Sequence, residues 1–185
     1  MIAYFSASVA AKQQYIENYQ KIIKSLQGMG TNVIYEHIIN SSEEKIRLHT
    51  KEERYSFHEK VEKWIQKCDF MVVETSHPSI SVGYEIALAL RIGKPVLLLY
   101  SLGDPPSLLG QHKNERLVCE KYDLKNVTQI LKNFIGYVQG KHDLRFTFFI
   151  TPEIVSFLDD VTKTKKVPKS VYIRQLIEKE MEKSS

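Results

Sequence analysis

The fold turns on one stretch, DFMVVETSHPSISVGYEIALALRIGKPVLLLY, Asp69 to Tyr100. Its first run, Asp69–Thr75, is apolar almost throughout, which predicts a strand covered on both faces. Its last, Pro95–Tyr100, reads the same way. Between them a hydroxyl-rich loop, Ser76–Gly83, runs into a helix predicted over Val82–Ile92. Strand, helix and strand in this order describe a parallel unit with a crossover helix.

The same alternation extends outward. Ile2–Ser6 is a β-rich run at the start. Tyr15, Ile16, Tyr19, Ile22, Ile23 and Leu26 recur at three- and four-residue spacings and mark one helical face between Lys12 and Met29. Gly28 and Gly30 stop that helix. A second strand is expected over Asn32–His37, a helix over Lys51–Lys67, a weaker strand over Leu117–Glu120 and a helix over Leu124–Val138. The fold class expected is α/β, a flavodoxin-like or Rossmann-like five-stranded parallel sheet of order 2-1-3-4-5. Helices cover both of its faces. This domain is expected to span residues 1–138. A polar joint, Gln139–Asp143, leads to a smaller module over residues 143–185, with a strand at Leu144–Ile150 and two helices. Thr151 as N-cap, Pro152 and Glu153 open the first of these helices, and the second is expected over Ser170–Lys183.

Composition is that of an ordinary globular chain: 185 residues, 43% hydrophobic, 26% charged, net charge +4. That charge permits a nucleic-acid partner without requiring one. No run is long or apolar enough to span a membrane. The N-terminus lacks signal-peptide character, so a cytoplasmic location is expected. Cys68 and Cys119 lack metal-ligand spacing and read as buried free thiols.

In a sheet of this order, ligands collect at the carboxyl ends of strands one and three, where the strand order reverses. The loops there are Ser6–Lys12 and Ser76–Gly83. They bring Tyr4, Ser6 and Ser8 towards Ser79, Ser81 and Glu85. Glu85 is expected in the first turn of its helix, where the helix dipole keeps a carboxylate ionised. A carboxylate beside a small-ligand crevice suits attack on an anomeric carbon. The competing reading is that Glu85 only complements the dipole.

YFSAS (Tyr4–Ser8), CDFMVVETSHPSISVGYEIALAL (Cys68–Leu90) and GKPVLLLY (Gly93–Tyr100) together resemble the nucleoside 2-deoxyribosyltransferase superfamily, in its 2'-deoxynucleoside 5'-phosphate N-hydrolase branch. YEH (Tyr35–His37) is similar to that family's second-strand ending. The resemblance runs to about residue 137. It implies that Glu85 attacks C1' of the sugar and releases the base. It also implies that Tyr4 assists at the sugar, that Ser8 and Ser79 bind the 5'-phosphate, and that Ser107 reaches the phosphate from a partner subunit. No metal or organic cofactor is implied. Two positions depart from the family. Ala10, Ala11 and Lys12 stand where the hydrolases carry Gly residues and an Arg, so a bidentate phosphate clamp is missing. Val61, three residues before Trp64, stands where the family carries an Asp.

The tail, RFTFFITPEIVSFLDDV followed by PKSVYIRQLIEKEME, resembles a ribbon-helix-helix module, which implies a dimer and allows DNA binding through residues 144–185. Arg145, Thr147 and Phe149 would face outward on its strand, and Phe149 is a poor base reader. From Lys141 onward nine Lys or Arg meet seven Asp or Glu, a net charge of +2. Oligomerisation alone is the competing reading. His77, Trp64 and Asp104 read as a solvated loop residue, a core aromatic and a turn residue. The expected function is an N-glycosidase or 2-deoxyribosyltransferase acting on a nucleoside or its 5'-monophosphate. Glu85 and Tyr4 are its catalytic pair, and Ser6, Ser8, Ser79, Ser81, Gly83 and Ser107 its substrate-binding residues. The rival expectation is a nucleotide-sensing DNA-binding regulator or a catalytically silent nucleotide-binding protein.

Overall fold

The computed structural model describes residues 1–42, 44–45, 50–106, 114–140, 150–165 and 169–183. They fall into two compact units, Met1–Asp143 and Leu144–Ser185.

The first unit is a five-stranded sheet with β1 (Ile2–Ala7), β2 (Asn32–Ile34), β3 (Phe70–Glu74), β4 (Val96–Tyr100) and β5 (Leu117–Lys121). All neighbours pair in parallel, in the order β2-β1-β3-β4-β5. The expected topology is therefore observed. Parallel strands need crossover helices, and these cover both faces. They are α1 (Lys12–Gly28), the short α2 (Glu36–Ile39), α3 (Lys51–Lys67), α4 (Ile80–Arg91) and α5 (Val127–Val138).

Alternation along the strands sorts the core into two layers. Ala3 and Phe5 of β1, with Phe70 and Val72 of β3, pack with α1 residues Tyr19, Ile22 and Leu26 and α5 residues Leu131 and Phe134. Tyr4 of β1, with Met71 and Val73 of β3, packs on the other side with Val61 and Ile65 of α3 and Ile86 and Ala89 of α4. The strand alternation thus assigns Tyr4 to the same layer as α3 and α4.

Two local expectations need correction. The second strand stops at Ile34 and does not reach His37. Glu36–Ile39 instead makes one helical turn, which carries His37 towards the layer occupied by Tyr4 and Trp64. The helix predicted from Val82 begins at Ile80, because Ser79 caps it: its Oγ accepts from Val82 N at 3.4 Å.

Helix α3 starts at a complete capping box. Thr50 Oγ1 accepts from Glu53 N at 3.2 Å, and Glu53 Oε2 accepts from Thr50 N at 2.7 Å. Because the first two turns of this helix carry Arg54 and Phe57, the cap helps set where those side chains stand. Thr50→Ala is expected to lower stability by ~1 kcal/mol, read as a lower urea midpoint at unchanged slope, with Thr50→Ser close to wild type.

Among the described residues no helix is long and apolar enough to cross a membrane. Cys68 and Cys119 are free; Cys68 is buried and Cys119 half-buried. The second unit contains α6 (Pro152–Lys165) and α7 (Lys169–Lys183), joined by a Lys169–Asp159 ion pair of 2.8 Å. Thr151 Oγ1 accepts from Ile154 N at 3.5 Å at the start of α6, a long bond at the expected cap. The predicted strand at Leu144–Ile150, with Arg145, Thr147 and Phe149, lies outside the described residues except for Ile150.

Candidate active site

The carboxyl end of β1 and the start of α4 frame a cavity of about 360 Å³. One wall is the first loop, Ala7 to Ala10; another is the start of α4, with Ser79, Ser81, Val82 and Glu85. A third wall, unforeseen from the sequence, is made by His37 and Ile38 of α2, Ser41, and Arg54 and Phe57 of α3.

Glu85 is 8% exposed and lines the cavity. Tyr4, wholly buried beneath it, donates its hydroxyl to Glu85 Oε2 at 3.0 Å. The two residues are 81 positions apart, and the pairing follows from topology: β1 is central, and its even positions face α4.

The expected electrostatics of Glu85 are reversed. With Ser79 as N-cap, Glu85 lies in the second turn of α4, and no acidic residue occupies the first. The helix dipole fades within one turn, so it does little for this carboxylate. Burial raises the Glu85 pKa above the ordinary carboxylate value, against an opposing pull from the Ser6 and Tyr4 hydroxyls. Ser6 Oγ is close enough to exert that pull, yet it makes no hydrogen bond of normal geometry. Tyr4 itself is pushed far above the usual phenol range, by burial first and by Glu85 second, so it stays protonated and donates.

The remaining predicted residues divide. Ser8 is buried and Ser81 exposed, and both line the cavity. Ser79 lines it as well as capping α4. A capping oxygen accepts from the backbone but keeps its own O–H free to donate. Ser6 stands behind Glu85. Gly83 faces a neighbouring depression that also touches His77, Ser79 and Asp104. Ser107 lies outside the described residues. Lys12, which could supply charge to the first loop, donates instead to the carbonyls of Ile39 at 2.9 Å and of Ser41. Its ammonium ties α1 to the end of α2, and among the described residues Arg54 is the Lys or Arg side chain that lines the cavity. Val61 is 4% exposed inside the apolar layer. Glu62 next to it turns to His58, at 4.0 Å.

Trp64 is half-buried and joins an aromatic group with Tyr4, His37 and Phe57. The core reading of Trp64 therefore describes only part of its surroundings. A second buried carboxylate, Glu74, lies at the end of β3 with Ser76 and Tyr122 as donors. It does not line the cavity.

Residues 3–128 match the family model for nucleoside 2-deoxyribosyltransferase. The chain belongs to that family. It is 30% identical over 135 residues to a Nematostella vectensis protein carrying the provisional name 2'-deoxynucleoside 5'-phosphate N-hydrolase 1, covering 71% of this chain and 91% of that one. It is 28% identical over 140 residues to the 5-hydroxymethyl-dUMP N-hydrolase of Tetraodon nigroviridis, covering 74% of this chain and 98% of that one. In fold, it is similar to the CMP N-glycosidase of Clostridium botulinum, with a TM-score of 0.54 at 18% identity over 72% of this chain and 99% of the other. The family match ends at residue 128, before the second unit, so it bears on the Glu85 cavity and not on α6 and α7.

Proposed function

We propose that this family member is an N-glycosidase, or a 2-deoxyribosyltransferase, that cleaves the N-glycosidic bond of a deoxynucleoside or its 5'-monophosphate with Glu85 as nucleophile. One observation carries the reading: a buried carboxylate on a cavity of about 360 Å³, held by a phenol that stays protonated and donates to it. A Glu85 oxygen attacks C1', the C1'–N bond breaks, and the bonding pair leaves with the base. The sugar stays as an ester on Glu85 until water or a second base takes C1' and returns the carboxylate. Tyr4 orients the attacking group. The Ser8 and Ser79 hydroxyls and the N-terminus of α4 are suited to a 5'-phosphate. The names of the relatives, which include N-hydrolases of deoxynucleotides, support the same bond as the target.

The test is a panel of nucleosides and 5'-monophosphates assayed for free base, with mass spectrometry for a sugar adduct on the protein. Base release accompanied by an adduct that maps to Glu85 is the expected result. Release by Glu85→Ala at the wild-type rate would remove the nucleophile assignment.

The second unit supports a further reading. Ile154, Phe157, Leu176 and Ile177 are each between 46% and 58% exposed. Apolar side chains repeated along two helices favour self-association with a second copy. The unit is proposed as a ribbon-helix-helix-like oligomerisation module, with homodimer or higher assembly as its outcome. Sedimentation of the full chain is expected to give at least a dimer. A monomer at micromolar concentration would end that proposal. The nearly balanced charge of the tail disfavours DNA as its partner. Titration with duplex DNA at two salt concentrations is expected to show no specific, salt-sensitive binding.

A further inference from the structure

His37 shares the aromatic group of the cavity but uses no hydrogen bond to do so. Its ring lies parallel to Tyr4, with centroids 5.0 Å apart and planes 3° from coplanar. Trp64 lies 5.0 Å from it and Phe57 6.4 Å. Both imidazole nitrogens are buried, and neither has a hydrogen-bond partner among the described residues. Burial pushes its pKa down to about 4, with Glu36 opposing, so the ring is neutral at ordinary pH.

A side chain that reads a substrate edge needs a reachable nitrogen, and one that transfers a proton needs a partner. His37 has neither in this arrangement. What it offers Tyr4 is a flat face. A wall against the ring face limits the sideways swing of the Tyr4 side chain that would carry its hydroxyl away from Glu85, to which it donates at 3.0 Å. The face is also fixed from behind. Ile38 is buried in the opposite layer, and Lys12 holds the carbonyls of Ile39 and Ser41. The α2 turn is therefore pinned just after His37.

We propose that His37 is a positioning residue whose stacked ring holds Tyr4 in the setting that places its hydroxyl on Glu85. The kinetic part of this inference rests on the glycosyl-transfer reading; the geometric part does not. Stacking depends on a flat ring and not on nitrogen. His37→Phe keeps the ring and removes the two unpartnered atoms. His37→Leu keeps volume without a flat face, and His37→Ala keeps neither.

The experiment follows the side-chain carboxyl of Glu85 by 13C NMR titration in the wild type, the three His37 variants and Tyr4→Phe, with a melting curve for each. Tyr4→Phe removes the donor and sets the upper reference for the Glu85 pKa. His37→Ala and His37→Leu are expected to move the Glu85 titration upward towards that reference, and His37→Phe to leave it at wild type. In turnover, His37→Leu is expected to lower kcat ~10-fold with KM changed less than ~3-fold, since the effect falls on the reacting group and not on substrate contacts. His37→Phe restores kcat. A Glu85 titration unmoved in folded His37→Leu overturns the proposal. So does a His37→Phe variant as impaired as His37→Leu, which would mean the nitrogens matter. Should no substrate turn over while the titrations behave as stated, the reaction assignment falls and the positioning role stands.

Discussion

Glu85→Gln is expected to lower base release at least ~10³-fold while raising the melting temperature at neutral and alkaline pH. Both effects have one cause. The carboxylate is buried where ionisation is opposed, so the group proposed as the nucleophile also strains the fold. The Glu85 pKa is raised on folding, so folding favours its protonated form. Its favourable contribution is complete below the unfolded-state carboxylate pKa and is lost as pH rises through the folded value. Gln is neutral throughout. Its carbonyl still accepts from Tyr4, and its amide offers Ser6 Oγ, unpartnered in the wild type, a donor. The gap in melting temperature between Glu85→Gln and wild type should therefore widen from pH 4 to pH 8. A difference of about 1 kcal/mol corresponds to ~2–4 °C for a chain of this size. A variant less stable than wild type at pH 8 would show that the carboxylate contributes to folding as well as to chemistry.

Tyr4→Phe is expected to lower kcat/KM about 10²-fold at neutral pH, the scale of losing one aligned donor in a buried site. It should also shift the acid limb of the pH–rate profile. In the proposed reaction the attacking form of Glu85 is ionised, so activity is lost as pH falls through its pKa. The wild-type limb should therefore lie above the ordinary carboxylate range. The Tyr4 hydroxyl lowers that pKa, so its removal moves the limb to higher pH. Ser6→Ala should move it in the same direction by less, since Ser6 lacks a bond of normal geometry. A limb that stays in place in Tyr4→Phe would show that the 3.0 Å contact does not govern ionisation. A rate close to wild type would remove Tyr4 from the chemistry.

The two predictions act on one hydrogen bond from opposite ends, so they couple. Glu85→Gln combined with Tyr4→Phe should be little slower than Glu85→Gln alone, because Tyr4 has no role once the proposed nucleophile is gone.

The sequence alone determined the sheet. Unbroken apolar runs at Phe70–Val73 and Val96–Leu99 can be satisfied only by burial on both faces, and their spacing demands crossover helices. Strand parity then put Tyr4 on one face, and the motif around Glu85 put the carboxylate across from it. Only the tertiary structure decided the state of that carboxylate. Its ionisation depends on how many atoms exclude water from it, and first-turn position was a poor guide once Ser79 moved the helix start to Ile80. Tertiary structure also decided the far wall of the cavity. His37, Arg54 and Phe57 come from a short turn and a long helix with no common period, and their convergence depends on where Lys12 and Ile38 fix α2. Periodicity reports which face of an element is buried; it carries no information on which side chains of distant elements meet.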